Sequence, residues 1–111
     1  MRQFVSLPPS ATILLHGLAR SENRHMREQA AMIIQRGLRR EPPLPVPMDD
    51  YITAHQYRTY ADAKTPMRGL YVDLSATDFE ELSESARLEG RTPRQQAERF
   101  IVQGMRPQSS E

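Results

Sequence analysis

The chain has 111 residues, with 15 Lys and Arg against 14 Asp and Glu, nine prolines and no cysteine. This length predicts one domain, or two small units that share a core. No apolar run approaches the roughly 20 residues of a membrane-spanning helix, and the N-terminal residues lack the pattern of a secretory signal. The absence of cysteine excludes disulfides and thiolate chemistry. We therefore expect a cytoplasmic protein.

The charge is distributed unevenly along the chain. Residues 1–41 carry a net charge of +4, residues 42–68 are neutral and residues 69–111 carry −3. Fourteen of the fifteen basic residues are arginine, whose planar guanidinium suits phosphates and guanine edges. The first third of the chain is thus the part best suited to an anionic partner.

The sequence contains an internal repeat at an offset of 67 residues. About a third of a window of 34 residues is identical without a gap. The identities are Val5 with Val72, Leu7 with Leu74, Leu15 with Leu82, Ala19-Arg20 with Ala86-Arg87, Glu22 with Glu89, Arg24 with Arg91, Arg27 with Arg94, Gln29-Ala30 with Gln96-Ala97, Ile34 with Ile101 and Gly37 with Gly104.

Each copy of the repeat predicts a strand followed by two helices. The runs 4–7 and 70–74 are β-prone, and apolar residues then recur at helical spacing. Helix starts are indicated by four signals: Pro9, Ser75 with Asp78, Thr92 with Gln95, and Pro93. Helix ends are indicated by Asn23-Arg24, Gly90-Arg91, Gly37-Leu38 and Gly104-Met105.

Neither copy can fold alone, because a single short strand has no partner and so few residues bury too little surface. We therefore expect one mainly α domain with a two-stranded antiparallel β-ribbon. The repeats span residues 1–38 and 69–105. A Pro-rich linker, residues 39–68, holds a short helix within 48–63, and residues 106–111 form a frayed tail.

Two segments in each copy resemble the ribbon-helix-helix DNA-binding family, the Arc and MetJ class. They are Val5-Ser6-Leu7-Pro8 with residues 22–30, and Val72-Asp73-Leu74-Ser75 with residues 89–97. The resemblance implies a tandem ribbon-helix-helix chain that forms an intramolecular pseudo-dimer. It further implies a sequence-specific double-stranded DNA-binding protein, such as a transcriptional repressor or a relaxosome-type accessory factor, whose ribbon enters the major groove.

Strand alternation then indicates which residues face the DNA. With Val5, Leu7, Leu70, Val72 and Leu74 facing the core, the outward residues are Arg2, Phe4, Ser6, Gly69, Tyr71 and Asp73. Arg2 could fork onto guanine, Phe4 could press on a thymine methyl, and Asp73 could accept from a cytosine amine.

Three of these outward residues also have a structural interpretation. Phe4 and Tyr71 suit a cross-strand aromatic pair, and Asp73 suits a salt bridge to Arg2 or Arg68. We expect residues 4–7 to pair antiparallel with residues 71–74. A ribbon centred on Phe4 opposite Tyr71 would place Arg2 across from Asp73.

The N-termini of the second helices are the expected phosphate sites, since their backbone N–H groups point outward. The residues around them are Arg24, His25, Met26 and Arg27 in the first copy, and Arg91, Thr92 and Arg94 in the second. In the alternative interpretation Arg24 and Arg91 only cap the helices or pair with Glu22 and Glu89.

No nucleophile–base pair, Gly-rich phosphate loop or cluster of carboxylates is present, and the three histidines lack ligand spacing. We expect no enzymatic activity, metal or cofactor. Ile13 and Leu14 give the first helix a second apolar face, covered either by the linker or by another protein. An antitoxin-like interaction module using that face or the linker is therefore the alternative function. Further copies of the chain on adjacent DNA sites are the other expected partners.

Overall fold

A computed structural model describes residues 1–60 and 66–108, which form five helices and four strands. The strands are β1 (Arg2–Leu7), β2 (Leu44–Val46), β3 (Arg68–Asp73) and β4 (Met105–Pro107). The helices are α1 (Pro9–Ser21), α2 (Met26–Leu38), α3 (Met48–Tyr60), α4 (Ala76–Leu88) and α5 (Pro93–Gln103). The helix starts of α1 and α4, and of α2 and α5, differ by the 67 residues of the sequence repeat.

β1 and β3 pair antiparallel, which confirms the mainly helical fold with a small antiparallel sheet. The register sets Phe4 opposite Tyr71 and Arg2 opposite Asp73, as the centred arrangement predicts. The pairing of residues 4–7 with 71–74 is wrong, because residues 4–7 lie opposite 68–71. Directly paired residues share a face of the sheet. Pairing residues 4–7 with 71–74 would therefore have placed the charged Asp73 on the core face beside the apolar Val5.

The inner face of the ribbon and the four repeat helices enclose the core. Its fully buried side chains include Val5, Leu15, Ile33, Ile34, Val72, Leu82 and Ile101. The second helix of each copy packs against the strand of the other copy, since α2 lies beside β3 and α5 lies beside β1.

Local signals account for most of the helix boundaries. Thr92 and Gln95 form a full capping box, and Ser75 Oγ accepts from the N–H of Asp78. Asn23 (φ 55°) and Gly90 (φ 69°) occupy the left-handed conformation that ends α1 and α4. The predicted cap at Gly37 is wrong. α2 continues to Leu38, so Gly37 lies inside the helix, where the ring of Phe100 leaves no room for a side chain.

The predicted linker helix is α3, and it packs along α1. Leu14 is only 4% exposed and Ile13 is half-buried, so the structure agrees with the interpretation in which the linker covers this face. Arg20 Nη2 bonds Asp50 Oδ1 at 3.1 Å across the two helices. Residues 61–63, which the predicted helix also includes, lie outside the described residues.

The tail prediction is wrong for Arg106 and Pro107, which belong to β4. This strand pairs parallel with β2, so the linker and the end of the second copy form a second small sheet. The N–H of Leu44 donates to Gly104 O at 2.8 Å, and that of Gln108 donates to Val46 O at 2.9 Å. Burial of Val46 and Met105 explains why this segment is ordered. Residues 109–111 lie outside the described residues.

Within the two described ranges, no helix is both long and apolar enough to cross a bilayer.

We predict that Gly17→Ala weakens the packing of α3 on α1. A Cβ at Gly17 would overlap the Cβ as well as the carboxylate of Asp50, so a change of rotamer cannot relieve the contact. Overpacking costs about 1–3 kcal/mol, whereas Ala for Gly within a helix gains about 1 kcal/mol. We expect a net loss of stability in urea denaturation, with His16→Ala on the exposed side of α1 as the control. A stabilised Gly17→Ala variant would contradict the close approach.

Candidate nucleic-acid interface

The outer face of the ribbon carries all six residues predicted to face outward. Arg2, Gly69, Tyr71 and Asp73 are exposed, whereas Phe4 and Ser6 are half-buried. The opposite face of the ribbon is buried in the core at Val5, Leu7 and Val72, whereas on the outer face Arg94 of α5 reaches over Phe4. The outer face is therefore an accessible two-stranded surface with side chains at alternate positions.

Phe4 lies at the centre of a cluster on this face. Its ring is 5.1 Å from the ring of Tyr71 at an angle of 55°, and the Arg94 guanidinium lies 5.0 Å above it. The edge of the Phe4 ring also covers Gly69, where a Cβ would lie 2.7 Å from Cε2. The aromatic-pair interpretation is thus confirmed, and Phe4 has little surface left for a thymine methyl. Tyr71 remains 51% exposed.

Arg2 and Asp73 form the predicted cross-strand pair. Arg2 Nε lies 3.5 Å from Asp73 Oδ1, and the two side chains are 72% and 79% exposed. A pair this accessible contributes at most about 1 kcal/mol, so DNA could replace it with little loss. The second candidate partner of Asp73, Arg68, makes no ion pair with it.

Glu98 of α5 accepts a backbone hydrogen bond at the outer edge of β1, a role that the sequence analysis missed. Its Oε2 accepts from the Ser6 N–H at 2.5 Å and pairs with Arg94 Nε at 3.2 Å. The four-residue spacing from Arg94 to Glu98 was the available signal, because such residues are neighbours on a helix. The contact with Ser6 follows only from the crossing of α5 to the strand of the other copy.

The edge of β3 is bordered by a strongly basic flank, defined by Arg24, Arg27 and Arg68. Within the described ranges these three arginines form no ion pair. The backbone N–H groups of residues 26–28, in the first turn of α2, have no acceptor among the described residues. His25 supplies no side-chain cap. An open cleft of about 570 Å³ joins the start of α2 to β3 and is lined by His25, Met26, Arg27, Glu28, Arg68, Gly69, Leu70 and Asp73. Free N–H donors, the helix dipole and unpaired guanidinium groups together suit a phosphate.

The corresponding flank at the start of α5 is largely neutralised. Arg91 pairs with Glu89 and Arg94 pairs with Glu98, while Thr92 Oγ1 takes the N–H of Gln95. Pro93 has no N–H, which leaves that of Arg94 as the available first-turn donor. The interpretation of Arg91 as the partner of Glu89 is confirmed, whereas the pairing of Arg24 with Glu22 is wrong.

Comparisons with protein-family models, with curated proteins and with solved structures gave no match. The geometry of the ribbon and its flanks therefore carries the functional argument.

We predict that Gly69→Ala displaces the Phe4 ring. The new Cβ would overlap Cε2 and Cζ at the far end of the Phe4 ring, so the ring must turn and lose its contact with Tyr71, a loss of about 0.5–1.5 kcal/mol. The expected result is loss of the nuclear Overhauser effects between Phe4 and Tyr71, with a lower melting temperature. Ser6→Ala, opposite Gly69, should leave both unchanged. Intact ring contacts in Gly69→Ala would contradict the cluster.

Proposed function

We propose that this chain is a sequence-specific double-stranded DNA-binding protein that inserts the β1–β3 ribbon into the major groove. The observation that carries the proposal is the open outer face of the ribbon, framed at its two edges by the starts of α2 and α5. The major groove admits a two-stranded ribbon, and helix starts beside it meet the phosphate backbones. The order strand, helix, helix occurs twice, which supports a tandem ribbon-helix-helix pseudo-dimer within one chain.

Base reading falls to four members of the outer face, which are the exposed Arg2, Tyr71 and Asp73 and the half-buried Ser6. Arg2 can fork onto guanine O6 and N7, and Ser6 can serve either base type. Tyr71 presents an exposed ring, and Asp73 can accept from a cytosine amine or hold Arg2 in position. Phe4 and Gly69 then act mainly by shaping this surface.

Regulation of transcription, or an accessory role in a relaxosome, is the biological setting that the family resemblance implies. Further copies on adjacent sites would fit either setting. The antitoxin-like alternative has less support, because it requires an accessible Ile13/Leu14 face and α3 packs over that face.

We expect selection from random duplex DNA to recover a defined motif with the wild-type chain. Repeating the selection with Arg2→Ala should relax one position and cost about 1–3 kcal/mol of affinity for the wild-type motif. His16→Ala, which alters an exposed residue of α1, should recover the wild-type motif. Recovery of unrelated sequences by the wild-type chain would refute sequence-specific binding.

The two flanks should contribute unequally to DNA affinity. Replacing Arg24 and Arg27 by alanine should flatten the salt dependence by about 0.9 per lost phosphate contact. The matched change at Arg91 and Arg94 should have the smaller effect, since both already pair with carboxylates. Salt titrations on one duplex measure both variants, and equal losses would show a symmetric reader.

A further inference from the structure

Three polar residues around the turn before each second helix are the same in both copies: a glutamate and an arginine in the turn, and a glutamine inside the second helix. They are Glu22, Arg24 and Gln29 in the first copy and Glu89, Arg91 and Gln96 in the second. The backbone is the same as well, since the N–H of Arg24 bonds Ala19 O and that of Arg91 bonds Ala86 O, both at 2.8 Å. Both glutamines are buried. Differences between the two triads must therefore come from their surroundings.

In the second copy the three side chains, here called the triad, are joined to one another by hydrogen bonds. Gln96 Nε2 donates to Ser85 Oγ at 3.0 Å, and Gln96 Oε1 accepts from Arg91 Nη1 at 3.3 Å. Glu89 pairs with the same Nη1 atom. Arg91 is therefore held against the turn by two acceptors.

In the first copy the arginine of the triad makes no hydrogen bond to the other two side chains. Gln29 Nε2 reaches Glu22 Oε2 at 3.5 Å, so that the carboxylate serves the amide and not Arg24. Gln29 Oε1 is buried with no hydrogen-bond partner, although Arg91 fills the equivalent position in the other copy. Arg24 has no side-chain partner within the described residues.

One difference between the copies accounts for this contrast. The repeat offset aligns Ser85 with Leu18, a core residue with no hydroxyl. Without that hydroxyl, Gln29 Nε2 must find another acceptor, and Glu22 is within reach. Leaving the N–H groups of a buried amide without an acceptor costs more free energy than an exposed ion pair contributes, so the glutamate turns to the amide.

We infer that the Ser85 hydroxyl is a positioning group that keeps Arg91 away from the DNA backbone, and that Leu18 at the equivalent place releases Arg24 to bind a phosphodiester. This inference rests on the proposed DNA-binding function and names the cause of its unequal flanks. The protein then holds one DNA half-site by an available guanidinium and the other without one. The protein therefore binds DNA in one preferred orientation, although its two halves have the same fold.

The test uses Ser85→Ala, which changes no charge, with Ser83→Ala on the same helix as the matched control. Phenylglyoxal modification followed by mass spectrometry reports how available each guanidinium is, and it needs no DNA. In the wild-type chain Arg24 should react faster than Arg91. In Ser85→Ala the rate of Arg91 should rise toward that of Arg24, and in Ser83→Ala it should stay unchanged. An unchanged Arg91 rate in Ser85→Ala overturns the inference.

Salt titrations on the selected duplex form the second arm. Ser85→Ala should steepen the salt slope by about 0.9, and raise affinity on the order of three- to tenfold near 0.1 M salt, because one phosphate contact is added. A released Arg91 with an unchanged slope overturns the phosphate role. Absence of duplex binding by the wild-type chain overturns the proposed function itself, and the modification pattern distinguishes that failure from a failure of the Ser85 contact.

Discussion

The pairing of β1 with β3 is the constraint on which the other contacts depend. Each copy supplies one six-residue strand, and neither strand has a second strand of its own copy to pair with. Pairing across more than sixty residues of chain satisfies the N–H and C=O groups on the facing edges of both strands. It also brings α5 beside β1 and α2 beside β3, so that contacts between the copies join those of α1 with α2 and of α4 with α5 in one core.

The two flanks of the ribbon show how a repeated backbone can carry different chemistry. The helix starts and the conformations of the turns before α2 and α5 are the same in both copies. The residues that pair with the arginines differ. Arg94 has Glu98 four residues on, but the equivalent residue after Arg27 is Ala31. This change leaves the packing intact because Ala31 and Glu98 are both only half-buried. The electrostatic character of each flank can therefore vary independently of the fold.

Much of this arrangement could be predicted from the sequence, and the parts that could not have a common physical cause. The repeat, the proline and threonine helix starts and strand alternation predicted the four repeat helices and the outward residues, because these signals are local. The β2–β4 sheet was missed because Pro45 and Pro107 lack N–H groups and weaken any strand signal, and its partners are distant in sequence. The role of Glu98 at Ser6, and the need for Gly37 beside Phe100, likewise depend on contacts between copies.

The parallel β2–β4 sheet has a consequence for how the chain can open. It joins the segment after the first copy to the end of the second, so each copy is attached to the other at two separate places. Exchange of a whole copy between two molecules, the usual route to a domain-swapped dimer, would require both sheets to separate before either could re-form. The small second sheet therefore raises the kinetic barrier to such an exchange, and it favours chains that stay monomeric in their fold even at high concentration.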